Sequence, residues 1–238
     1  MITLQIEDKE YKCPTEYKDI TFSQFKEIQD WCYSEFNEPK LNKIIESKVD
    51  DEEEALNFYL DFINLVTEIP KKILMQVKPY GDSEVNDLSI QYLFETLSFL
   101  LCMPEMKEPK PVEKIGRYHF IDKTDLNEAI LKDLNFIEYI EADSVKKQFN
   151  NLKEGRYEYL NLLLAIMYRP KERYGWFKRK ERIELYDSEK VKERAKEFNS
   201  VTMDVVWNCL FFFLQSKLKS LKSIEASFQQ KVEKLHQV

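Results

Sequence analysis

The 238 residues suffice for one large domain or two small ones, and 43% hydrophobic with 33% charged residues describe a helix-rich chain with a core, not a disordered one. The four glycines, Gly81, Gly116, Gly155 and Gly175, are isolated, which excludes the glycine-rich loops that cradle phosphates or dinucleotides. A formal charge of -7 argues against non-specific attraction of the whole surface to nucleic acid.

Ile2 to Ile6 alternates apolar and polar residues before a polar turn from Glu7 to Glu10 and the run Tyr11-Lys12-Cys13, which predicts a β-hairpin. Thr21 then caps a helix with Phe22, Phe25, Ile28 and Trp31-Cys32 at helical spacing. Gln24 stands where a capping box needs it, and Ile20 with Phe25 form a hydrophobic staple. The acidic run Asp50 to Glu54 favours a helix N-terminus, where carboxylates meet the positive end of the macrodipole, over a metal site. That helix, carrying Leu56, Phe58, Leu60, Phe62 and Ile63, is expected to stop near Ile69-Pro70. A short helix over Lys71 to Val77 and a longer one from about Glu84 to Cys102 follow.

Pro104 to Pro111 is the one linker-like stretch, and it divides the expected units into residues 1–103 and 112–238. Beyond it the pattern starts again. Val112 to Ile121 reads as a second short hairpin, and Thr124 or Asp125 caps a helix carrying Leu126, Ile130, Leu134 and Ile137. Leu60 to Pro70 aligns without gaps on Leu160 to Pro170, and Leu97 to Leu101 echoes Leu210 to Leu214, a pattern expected of two similar units sharing a core.

Tyr157 to Tyr168 has almost no polar face and is expected as a core helix ended by Arg169-Pro170, with Val201 to Leu214 as its partner. Between them Asp187 or Ser188 caps a helix with Val191, Ala195 and Phe198 on one face. The chain closes with an amphipathic tail from Leu218 through Leu221, Ile224, Phe228 and Val232 to Leu235. The fold class expected is therefore mainly α with short β-hairpins, an α+β chain of two hairpin-plus-helices units packed through shared helices.

No catalytic constellation emerges. His119 and His236 are the only histidines, paired cysteines are missing, and Cys13, Cys32, Cys102 and Cys209 sit among apolar neighbours, so they are expected as free thiols in a reducing compartment. Neither a Gly-x-Ser-x-Gly elbow nor a Ser-x-x-Lys signature occurs. No cofactor or metal is expected, and neither apolar helix is long enough to span a membrane. The start lacks a signal-peptide pattern, so a cytoplasmic origin is the default. Chemistry of another kind gathers in the charged loop from Arg173 to Arg182, where Tyr174, Trp176 and Phe177 interleave with Arg173, Arg179 and Arg182. This composition suits an arginine-aromatic protein interface or base stacking beside phosphates, and Glu172, Glu181 and Glu184 weaken the second. Leu221 and Phe228 on the tail are further candidate contacts, since the tail either folds onto its own core or docks on another chain.

The opening Ile6-Glu7-Asp8-Lys9-Glu10-Tyr11 through Ile20-Thr21-Phe22-Ser23-Gln24-Phe25, the Leu-rich helix ending Met167-Tyr168-Arg169-Pro170, and Val201-Thr202-Met203-Asp204-Val205 before Leu210-Phe211-Phe212-Phe213 resemble small proteins encoded among the virion and tail-assembly genes of tailed bacteriophages of Bacteroides-type hosts. The resemblance covers most of the chain through packing patterns and brings no catalytic residue. It implies a non-enzymatic tail-assembly chaperone or a virion or baseplate-associated component, in the host cytoplasm or the particle. The partner would be another phage structural protein or a further copy of the chain. The alternative is a nucleic-acid-binding or regulatory protein using the 173–182 loop.

Overall fold

The computed structural model describes residues 1–6, 8–46, 49, 51–79, 88–105, 108–120, 157, 160–174, 180–184, 187–212 and 215. Strands β1 (Ile2–Ile6) and β2 (Lys9–Cys13) pair antiparallel, Ile6 opposite Lys9, so the turn is tighter than the four polar residues suggested. A 3-10 turn (Tyr17–Asp19) leads into α1 (Phe22–Cys32), which starts with the expected capping box. The Gln24 N–H donates to Thr21 Oγ1 at 3.3 Å and the Thr21 N–H to Gln24 Oε1 at 3.0 Å.

Helix α2 (Glu38–Ile45) is followed by α3 (Glu52–Thr67), whose N-cap Asp51 accepts from the Glu53 and Glu54 N–H groups, as the acidic run predicted. The α3 helix closes before its proline, at Glu68, which takes the left-handed conformation with φ 60°. There the Thr67 hydroxyl donates to the Ile63 carbonyl and Asn64 Nδ2 to Ile69 O. Then come α4 (Lys71–Leu74) and α5 (Ile90–Leu97), capped by Ser89 and extended by a 3-10 turn (Ser98–Leu101).

Strands β3 (Lys114–Ile115) and β4 (Tyr118–Phe120) form the second hairpin around Gly116, whose φ of +56° suits a residue without a Cβ. The linker before it lies against the chain. Pro109 is buried, the Lys110 N–H donates to Asn208 Oδ1 at 3.2 Å, and the Val112 carbonyl accepts from the Tyr168 hydroxyl at 2.8 Å.

Helix α6 (Leu160–Met167) is nearly all buried, but it ends sooner than expected, and Tyr168, Arg169 and Pro170 open a strand, β5 (Tyr168–Tyr174). The physical reason is local. Pro170 disfavours helical backbone at Arg169 and itself lacks an N–H, which an antiparallel strand tolerates where no donor is needed. Pro170 stands opposite Tyr118 of β4, and its carbonyl accepts the Glu184 N–H just past the end of β6 (Lys180–Ile183). The resulting sheet runs β3-β4-β5-β6, all antiparallel. The sequence repeat therefore diverges around its prolines: Pro70 caps helix α4, whereas Pro170 lies inside strand β5. Helix α7 (Ser188–Glu197) is capped by Asp187, the first of the two expected candidates, and buries Val191, Ala195 and, in the 3-10 turn Phe198–Ser200, Phe198. A last described helix, α8, covers residues 203–212. The expected helix after Thr124 and the amphipathic tail fall outside the described residues.

The chain is thus α+β, and one buried cluster draws on both sides of the linker. At its centre Trp207 is fully buried, with its ring centroid 5.8 Å from Phe25, 5.9 Å from Tyr17 and 6.0 Å from Tyr157. Beside it the two helix starts exchange backbone hydrogen bonds. The Phe22 N–H donates to the Val201 carbonyl at 2.8 Å and the Met203 N–H to the Ile20 carbonyl at 2.8 Å, with Thr21 opposite Thr202. Each partner comes from a 3-10 turn, an Ile or Val, a Thr and then a helix, so the contact is reciprocal.

Candidate protein-interaction surface

The charged segment expected as a loop has strands for its flanks. In β5 and β6, Glu172 stands opposite Arg182, Arg173 opposite Glu181 and Tyr174 opposite Lys180. Opposite charges facing each other across a ladder, as Glu172 and Arg182 do, contribute roughly 0.2–1 kcal/mol per pair. Arg182 lies 3.6 Å from Glu172, and both Arg173 and Arg182 are exposed. The hairpin thus places Arg173 and Arg182 on the stem one register step apart, on opposite faces, and Tyr174 at its end. Trp176, Phe177 and Arg179, like Leu221 and Phe228, lie outside the described residues.

Beneath the stem is a polar network that sequence reasoning missed. Glu184, immediately after β6, is buried, and its carboxylate is bound by the buried Arg194 of α7 and by Lys190, 3.2 Å away. Arg194 also donates to the carbonyls of Ala165 at 2.7 Å and Tyr168 at 3.2 Å, while Arg169 Nε donates to Ile166 O at 3.2 Å. Two guanidiniums therefore serve carbonyl groups that the end of α6 leaves without helical partners, the position where the macrodipole favours cations. Arg169 also donates to the Glu184 carbonyl at 3.2 Å, and Lys190 lies 3.5 Å from Glu172. The hydrogen bond and charge of Glu184, with Glu172 behind, hold the Lys190 ammonium above its ordinary pKa. One signal was available: Arg194 follows Val191 by three residues and precedes Phe198 by four, which puts it on the buried face of α7.

On the other side of Arg194, its guanidinium sits 5.5 Å from the Tyr118 ring centroid. Arg117 donates to the Tyr118 hydroxyl at 2.8 Å and to Glu197 at 3.0 Å. A hydrogen bond from Tyr118, with the Arg117 charge, holds the Glu197 carboxyl below the usual carboxylate range. An open cleft of about 670 Å³ beside this group is lined by Val112, Ile115, Val201 and Val205 among others. A second, of about 380 Å³, lies between the first hairpin and the end of α3.

Burial pushes the Cys32 and Cys209 thiols up to about 12, so neither supplies a thiolate at neutral pH. Among the described residues no group of three His, Cys, Asp or Glu side chains converges to hold a metal, and no helix is long and apolar enough to cross a membrane. His119 lies in β4, opposite Arg169 of β5. The arrangement is a braced platform: a hairpin stem fixed to the ends of α6 and α7 by charged side chains, with Arg173 and Arg182 exposed on it. Comparison with family models, curated proteins and solved structures finds no match to this chain.

Proposed function

We propose that the chain is a non-enzymatic structural or assembly protein of a tailed bacteriophage, a tail-assembly chaperone or a virion or baseplate-associated component, that binds another phage structural protein or a further copy of itself. The observation that carries this reading is the braced hairpin: Glu184, Arg194, Lys190 and Arg169 tie its stem to the helical core, while Arg173 and Arg182 remain exposed. A surface held in place before contact loses little freedom on binding, and arginine-aromatic composition is typical of residues that dominate interfaces. The phage resemblance supplies the setting, the host cytoplasm or the particle.

Changing Trp176, Phe177 and Arg179 together to Ala is expected to abolish co-purification of the partner and leave the melting temperature nearly unchanged. A large drop in melting temperature would instead make the tip part of the core. The second reading, nucleic-acid binding by the same basic hairpin, has in its favour the arginines on both strands of the stem. It requires retention on heparin at low salt and a steep loss of affinity as salt rises.

A further inference from the structure

We propose that the outer edge of β3 and the cleft beside it form a docking groove for an extended segment of a partner protein in which apolar and acidic residues alternate. The groove uses other residues than the β5–β6 hairpin, and the inference goes beyond the proposed function by naming the chemistry of the segment it takes. The cleft, of about 670 Å³, lies between the β3–β4 hairpin and the start of α8. Strand β3 is the outer strand of its sheet, so among the described residues one side of its backbone has no neighbouring strand. Ile115 packs against the core with its cross-strand partner Tyr118, whose ring centroid lies 5.1 Å from that of Phe198. Lys114 belongs to the other face, as successive strand residues do. Both line the cleft, which therefore runs along the open edge of the strand and not over one face of the sheet. At the Gly116 turn nothing stands within 4 Å of where a Cβ would be, so the space stays open past the end of β3.

The residues around the cleft decide what fits it. Val112 is exposed, and Ile115, Val201 and Val205 are half-buried, so they offer apolar surface that favours an apolar side chain over water. Two cations stand beside them. Lys114 is exposed and enters no ion pair among the described residues. Arg117 spends Nε and Nη2 on the Tyr118 hydroxyl and Glu197, while its Nη1 has no partner among the described residues and its side chain is 71% exposed. Glu197, already held by Arg117, is the one carboxylate among the lining residues. A basic segment would meet two like charges and no free carboxylate, and a wholly apolar one would cover both cations without pairing them. A twofold dimer through this groove would set the cations against their own copies. An extended segment lying along β3 sends every second side chain to the Ile115 face and the others to the Lys114 face. Val, Ile or Leu alternating with Asp or Glu matches both.

The test selects random seven-residue peptides, displayed on beads, for binding to the whole chain, and titrates the enriched peptides by fluorescence polarisation. The selection is expected to enrich alternating apolar and acidic residues. Lys114→Glu and Val112→Asp, both at exposed positions, are each expected to weaken binding about tenfold or more with the melting temperature unchanged. Arg173→Ala in the β5–β6 hairpin should leave it unaltered, which separates this groove from the surface of the proposed function. Enrichment of no sequence, as when the chain itself already fills the cleft, or of basic sequences, overturns the proposal. So does peptide binding indifferent to both Lys114→Glu and Val112→Asp, and so does self-association of the chain that Lys114→Glu abolishes, since the occupant would then be a second copy.

Discussion

Arg194 serves two partners with one guanidinium, the Glu184 carboxylate and the carbonyls at the end of α6. A buried pair of this kind adds little over an apolar replacement of both members, but removing one member strands the other. Arg194→Met is therefore expected to lower stability by about 3–5 kcal/mol. In urea titrations this reads as a shifted midpoint with unchanged slope. Lys190→Met, at the exposed end of the same network, should shift the midpoint far less than Arg194→Met, because solvent screens its pairs. If the two substitutions cost the same, the network is not organised around a buried Glu184. At this scale the sequence was half legible. Spacing places Arg194 beside Val191 and Phe198, yet its charge argues for solvent, and its partner Glu184 comes from the end of a strand that charge composition disguised.

Elements whose ends are decided within four residues were read correctly from sequence. The Thr21 box stands where it was expected, α3 starts within the acidic run, and Asp187, one of the two expected candidates, caps α7. Thr21→Ala is expected to cost about 1 kcal/mol and to lower the melting temperature by about 2–4 °C, with Thr21→Ser recovering most of it. A melting temperature unmoved by Thr21→Ala would show that docking, not the cap, sets the start of α1. Strands β5 and β6 escaped because charged residues fill most of their paired positions, two of the four pairs being Glu with Arg, which leaves no apolar alternation to detect. The α6 boundary slipped for a related reason. Apolar residues run unbroken through Tyr168, and only the interference of Pro170 with Arg169 and the tertiary carbonyl contacts separate helix from strand. Of the interface residues, Arg173 and Arg182 were legible as exposed cations, whereas the bracing beneath them depends on contacts between segments.

Across the whole molecule, Trp207 is the common neighbour of rings from the 3-10 turn before α1, from α1 itself and from Tyr157. Trp207→Ala is expected to cost about 3–5 kcal/mol, in the range of large core truncations. Hydrogen exchange in α1 and α8 should accelerate together, because the two helices share one core and one reciprocal bridge. Acceleration confined to α8 would mean that the halves open independently. The same bridge shapes how the molecule is made. The Phe22 N–H has its acceptor at Val201, so α1 emerges during synthesis long before its permanent neighbour exists. At elongation speeds of about 5–20 residues per second, that interval is on the order of ten seconds or more. For all of that time the aromatic face of Phe25 waits on the ribosome for a tryptophan not yet translated, and a message broken before that codon leaves a nascent chain whose α1 has lost its central cover.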